Sequence, residues 1–160
     1  MTVGKALFFP ATVPSLPNNL GQGLAFATWW GPTFPYKSSL DGTTPATWIK
    51  KFQASKEGKG LTWNMATGLN YSLFEIANAA FKKAGNPKNK AAVNAAVGTL
   101  NMMTLSGKLD FTHGPVPGIA TIPTVMGQWE KTKAGKWQWV VVDNTLYPAV
   151  PVARKLKPLS

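Results

Sequence analysis

The chain has 160 residues, 44% of them hydrophobic, enough to bury a core and too apolar for a disordered chain. Its 17 Lys and Arg against 6 Asp and Glu leave a net charge of +11, a field that draws anionic solutes or surfaces without specifying a fold. The lack of cysteine excludes disulfides, thiolate metal sites and a cysteine nucleophile.

The opening segment has one lysine and then a short apolar run, as a leader peptide does, but Pro10 and Pro14 interrupt it. Lys5 to Phe9, bounded by Gly4 and Pro10, reads instead as a strand buried on both faces, as in a parallel sheet. Leu24 to Trp30, between Gly23 and Gly31-Pro32, reads as a second such strand leading into a proline-rich connection. No window approaches the roughly 18 consecutive apolar residues of a spanning helix, so a soluble chain is expected, with any export signal lying upstream.

Thr44 before Pro45 is a helix start, a hydroxyl cap followed by proline at the first helical position, and Trp48, Ile49 and Phe52 mark the apolar face over 44–56. A longer helix is predicted over 66–84, with Leu69, Leu73, Ile76 and Ala80 inward and Glu75, Asn78, Lys82 and Lys83 on the opposite face, ended by Gly85. Asn86 and Pro87 start a third helix over 87–100 that carries Ala92, Val93, Ala96, Val97 and Leu100 inward. Strand signals follow Asn101. From Ile119 to Val142 the pattern is a hairpin turning at Lys133-Ala134-Gly135-Lys136, and the proline-containing tail from Tyr147 is expected to run extended over a surface.

The order and wording of GLAFATWWGPTFPYKSSLDG (23–42), TPATWIKKFQASKEGKG (44–60), NYSLFEIANAAFKKAG (70–85), GPVPGIATIPTVMGQW (114–129) and GKWQWVVVDN (135–144) resemble the C-terminal portion of a type I periplasmic solute-binding protein. The class is that of the branched-chain amino acid and amide receptors of ABC importers. The resemblance implies part of a two-lobe α/β fold, with helices on a mostly parallel sheet plus a C-terminal β-hairpin. Residues 1–30 would be late lobe-two strands and the approach to a hinge, 31–118 the helical part of lobe one, and 119–160 the hairpin, final crossing and tail. The N-terminal half of the fold, with its lobe-one sheet and Ser/Thr-rich cleft edge, has no counterpart here, so another chain or a swapped copy would have to supply it. Periplasmic or other extracytoplasmic residence follows from the same resemblance.

The implied function is capture of a small organic solute between closing lobes for an ABC permease, without cofactor, metal or catalysis. A ligand-sensing domain of a signalling receptor on the same scaffold is the alternative. The implied ligand contacts are Phe9, Pro10 and Ala11 in a cleft loop, Trp30 near a hinge crossing, and Leu69 and Asn70 at the start of the long helix. Amino acid binders of this class place an acidic group near the loop that here reads Phe9-Pro10-Ala11, and no carboxylate stands there. Aromatic and apolar groups suit a flat or oily solute oriented by a polar contact such as Asn70, which favours an aromatic acid over a free amino acid.

Other chemistries find less in the sequence. Asp41, Glu57, Glu75, Asp110, Glu130 and Asp143 are scattered without the spacing of a metal site or an acid/base pair. His113 reads as a solvated loop histidine. The cations are dispersed and almost all lysine, with Arg154 alone able to make a forked contact, so no nucleic acid partner is expected.

Overall fold

The computed structural model describes residues 12–158; the strand expected at Lys5 to Phe9 lies outside them. Two short 3-10 turns, Val13–Ser15 and Pro17–Asn19, lead into β1 (Ala25–Thr28). Three helices follow, α1 (Pro45–Ala54), α2 (Met65–Ala84) and α3 (Lys90–Val97), and then two hairpins, β2 (Asn101–Thr104) with β3 (Gly107–Asp110) and β4 (Val125–Lys131) with β5 (Trp137–Asp143).

The strands form a three-stranded sheet in the order β1-β4-β5 and a separate two-stranded one, β2-β3. Every pair among the described residues is antiparallel, where the continuous apolar run at Leu24 to Trp30 suggested parallel neighbours. Among the described residues β1 pairs with β4 alone, Ala25 opposite Gln128 and Thr28 opposite Val125, and Ala27 is exposed. The 119–142 hairpin forms over a shorter span, with Trp129 opposite Trp139 and a turn closed by the Thr132 amide donating to the Lys136 carbonyl.

The helices start where local hydrogen bonding starts them. The Thr44 hydroxyl accepts from the Thr47 amide with Pro45 in the first turn. Asn64 and Thr67 form a reciprocal capping box at the head of α2, and Gly85, at φ 71°, ends that helix. The third helix begins later than Asn86-Pro87. Asn86 instead accepts from the Lys88 and Asn89 amides in a turn, and the Asn89 side chain caps α3 by accepting from the Ala92 amide. The inward residues are those expected, since Ala96 and Leu100 are buried against Ala80, with Val93 and Val97 packed beside them.

The buried face of α2 differs from the periodic reading. Met65, Gly68, Ser72, Glu75 and Ala80 point inward, while Leu73 and Phe74 are 62% and 71% exposed. The reason is close packing. Gly68 lies against the Trp30 indole, where an added Cβ would come within 2.3 Å of the ring. Ser72 donates to the Ser106 hydroxyl at 3.0 Å and accepts from the Ser106 amide at 3.2 Å. A wide apolar stripe would hold these segments apart. Small and polar residues let the turn between β2 and β3 approach the helix and satisfy its backbone there.

Glu75 was expected at the solvent face and is fully buried. Its Oε1 accepts from the Ser39 amide at 2.7 Å and the Ser39 hydroxyl at 3.0 Å, and its Oε2 accepts from the Leu105 amide at 2.8 Å. Both oxygens thus have protein donors, which offsets the cost of burying the carboxyl group. Truncation would leave the Leu105 and Ser39 amides without acceptors. We expect Glu75→Ala to lower the unfolding free energy by about 3 kcal/mol in urea titration. A loss below about 0.5 kcal/mol, the range of an ordinary surface change, would contradict the structural role.

Candidate ligand-binding site

A cleft of about 510 Å³ lies between β5, the 151–153 segment and the loops bearing Pro32 and Trp63. Trp63, Trp137 and Trp139 supply its aromatic walls and Val140, Val141 and Pro151 much of the rest. Trp137 and Trp139 are two residues apart on β5, so the pleat sends both indoles to one face. Trp139 sits edge-on to Trp63 at 5.9 Å and to Phe26 at 6.2 Å, which fixes its plane. Trp137 carries the Lys131 ammonium 5.8 Å from its ring centroid.

The backbone around the cleft is shaped to let Trp139 in. An added Cβ at Gly31 would fall 2.4 Å from its ring, so only glycine allows that indole to cross the end of β1. The tail closes one side, its Ala153 amide donating to the Val141 carbonyl at 2.9 Å. It continues across the sheet, Arg154 donating to Glu130 at 2.6 Å and to Gln128 at 3.0 Å, and the Lys157 amide donating to Gln128 at 3.1 Å. The extended tail expected from the sequence is therefore an anchored strap over β4. Such a cleft gives apolar contact and ring faces for a flat solute but few polar groups, among them Thr33, Thr62 and Gln138.

A smaller cavity of about 290 Å³ lies at the head of α2, where Asn70 stands among Trp48, Asn64, Thr67, Tyr71 and Phe74. Asn70 is exposed and Leu69 half-buried. Trp30 is fully buried, its indole N–H donating to the Leu105 carbonyl at 3.1 Å and its ring set edge-on to Trp48 and Trp63. In this structure that ring has no surface to offer a solute and acts as the post on which Trp63 leans. Phe9, Pro10 and Ala11 lie outside the described residues. Trp30 and Asn70 are thus related through Trp48, which packs edge-on to Trp30 and lines the cavity that holds Asn70. The structure adds Trp137 and Trp139, which belong to the hairpin read from the sequence, and Trp63, which that reading did not single out. The signal was the Trp-x-Trp spacing on a strand.

Asp41 and Asp110 have local structural partners. Asp41 accepts from the Thr43 side chain and amide, bonds that hold its carboxyl below the usual range. Asp110 accepts from the Thr112 hydroxyl and amide and the Asn101 side chain and lies against His113, and its carboxyl is pulled down to about 2, chiefly by the Thr112 hydroxyl. His113 is 83% exposed in its side chain.

No family model matches this sequence, and no curated protein does. Solved structures do. An ABC transporter substrate-binding protein from Sphaerobacter thermophilus superposes with a TM-score of 0.62 at 18% identity, over 84% of this chain and 33% of its own. The leucine-binding protein LivK of Thermotoga maritima superposes with a TM-score of 0.55 at 17% identity, over 85% of this chain and 35% of its own. The chain has the fold of part of a type I periplasmic binding protein. It spans about a third of the length of these binding proteins.

Within that fold the contact between Trp30 and α2 holds the end of β1, and with it the cleft, in place. We expect Gly68→Ala to force the indole or the helix aside and to cost about 1–3 kcal/mol in stability, read by thermal unfolding. The same variant should shift tryptophan emission. Unchanged stability and emission would contradict the packing described.

Proposed function

We propose that this chain is a portion of an extracytoplasmic solute-binding receptor that captures a small organic solute for an ABC permease and performs no chemistry on it. The observation that carries the reading is the backbone superposition on two such proteins over 84% and 85% of the chain. At this level of identity the likeness speaks for the fold, and the cleft supplies the argument for a ligand.

In this reading β1, β4, β5 and the tail belong to one lobe, and α1, α2, α3 and the β2-β3 hairpin to the other, with residues 29–36 among the chain crossings. The remaining elements of both lobes come from other sequence or from a second copy. Trp63, Trp137 and Trp139 give a planar, largely apolar solute ring faces to stack on, and Asn70 is a polar group at the edge of the same aromatic cluster. Phe9, Pro10, Ala11, Trp30 and Leu69 are the further contacts that the resemblance implies. An aromatic acid, an amide or an amino acid with a large side chain fits this lining, and closure of the lobes would present the loaded form to the permease.

The test is a thermal-shift screen of the protein as its gene encodes it, against aromatic acids, amino acids and amides. At about 100 times Kd a ligand adds about 2.7 kcal/mol, a rise in Tm of several degrees, accompanied by a change in tryptophan emission. Trp137→Ala should reduce that rise. No stabilisation by any class would count against the reading.

A further inference from the structure

A third cavity, of about 360 Å³, is lined by Tyr36, Lys108, Asp110, Thr121, Pro123 and Tyr147. It shares no lining residue with the tryptophan cleft. Its floor is built by close packing. Gly107, at φ 115°, begins β3 where a Cβ would come 2.5 Å from the Pro123 ring and 3.1 Å from the Tyr36 ring. Tyr36 is only 9% exposed and is held edge-on by Phe34 at 6.0 Å. Lys108 and Asp110 alternate along β3 and so face the same side of the hairpin.

The hydrogen-bonding groups here divide sharply. The Asp110 carboxylate is already engaged by the Thr112 hydroxyl and amide, the His113 amide and the Asn101 side-chain amide, with the His113 ring 3.2 Å away. By contrast, the hydroxyls of Tyr36, Tyr147 and Thr121 and the Lys108 ammonium have no protein partner among the described residues. Tyr36 is the best placed of these, since its residue is more than nine-tenths buried and its ring is fixed by packing, while its unbonded hydroxyl stays accessible at the cavity. Burial, then the neighbouring Tyr147, push its pKa up, so it stays a donor. What remains open in the cavity is therefore three hydroxyls and one cation, with the one acid satisfied elsewhere.

We propose that this cavity binds a small monocarboxylate, Lys108 pairing with its charge, Tyr36, Tyr147 and Thr121 donating to its oxygens, and Pro123 with the tyrosine rings covering its apolar part. One cation beside an ionised Asp110 suits a single negative charge better than a dianion, and the +11 charge of the chain draws anions toward it. The site does not depend on the transport reading, and its failure would leave the tryptophan cleft untouched.

The probes are sodium isobutyrate and its neutral isostere isobutyramide, too small to stack across the tryptophan cleft. Amide NMR of the full chain should show saturable shifts at Leu109, Asp110 and Tyr147 with isobutyrate, and binding at least about tenfold weaker with isobutyramide, as loss of a charge-assisted contact requires. Lys108→Met and Tyr147→Phe should each weaken isobutyrate binding several-fold while the rest of the spectrum stays in place. Equal binding of the amide would overturn the proposal. So would unchanged affinity in both variants, or no saturable shift at these residues.

Discussion

The Glu75 carboxylate ties together three stretches that are far apart in sequence. It accepts from Ser39 in the loop that follows β1 and from Leu105 in the turn between β2 and β3, while its own backbone belongs to the middle of α2. Around it Trp30 donates to the Leu105 carbonyl, and Ser72 bonds both the amide and the hydroxyl of Ser106. The two-residue turn at Leu105-Ser106 thus has its backbone groups met from α2 and from the end of β1. A buried acceptor surrounded by donors is specific in a way that apolar packing is not, because a shift of one helical turn would leave both oxygens and both amides unpaired. This constraint sets the height at which α2 crosses the sheet end, and so the position of everything Trp30 touches.

The tryptophan cleft follows from that placement. With Trp30 fixed, Trp63 and Trp48 lean on it edge-on, Trp139 closes against Trp63, and Gly31 gives Trp139 room to cross. The chain of rings links the helical segment to the three-stranded sheet. Under the lobe assignment proposed above, this link would lie between the two lobes. The strap formed by Arg154 across Glu130 and Gln128 fixes the far side of the same sheet with a charge-assisted pair whose members are 18% and 20% exposed. The cavity at Tyr36 and Lys108 is built differently, from hydroxyls and an ammonium without protein partners among the described residues, where the cleft is walled by indole rings.

Much of the local structure was legible in the sequence. Thr44-Pro45 and Gly85 marked helix ends because capping is a matter of a few adjacent residues. The alternation of Trp137, Trp139 and Val141 gave the hairpin, and motif order gave the fold. What periodicity missed was set by distant residues. Leu73 and Phe74 look like core and stand exposed, while Glu75 looks solvated and is buried, because the partners that bury it, Ser39 and Leu105, are 36 and 30 positions away. The apolar run at Leu24 to Trp30 carries no mark of whether its neighbour runs parallel or antiparallel. Asn86-Pro87 mimicked a helix start because an Asx turn uses the same residues as a cap. Trp30 illustrates the limit for sites, since its place beside Gly31-Pro32 suits a ligand face or a core post equally, and its burial, its bond to Leu105 and the Gly68 contact, all set by distant residues, separate the two.

The central claim, that the buried carboxylate joins these three stretches into one cooperative unit, is tested most directly by native-state hydrogen exchange. The account predicts that the Ser39 and Leu105 amides, which donate to Glu75, exchange only with the opening that also releases the central amides of α2. Exchange of either amide through a local opening well below that free energy, with α2 still protected, would contradict it.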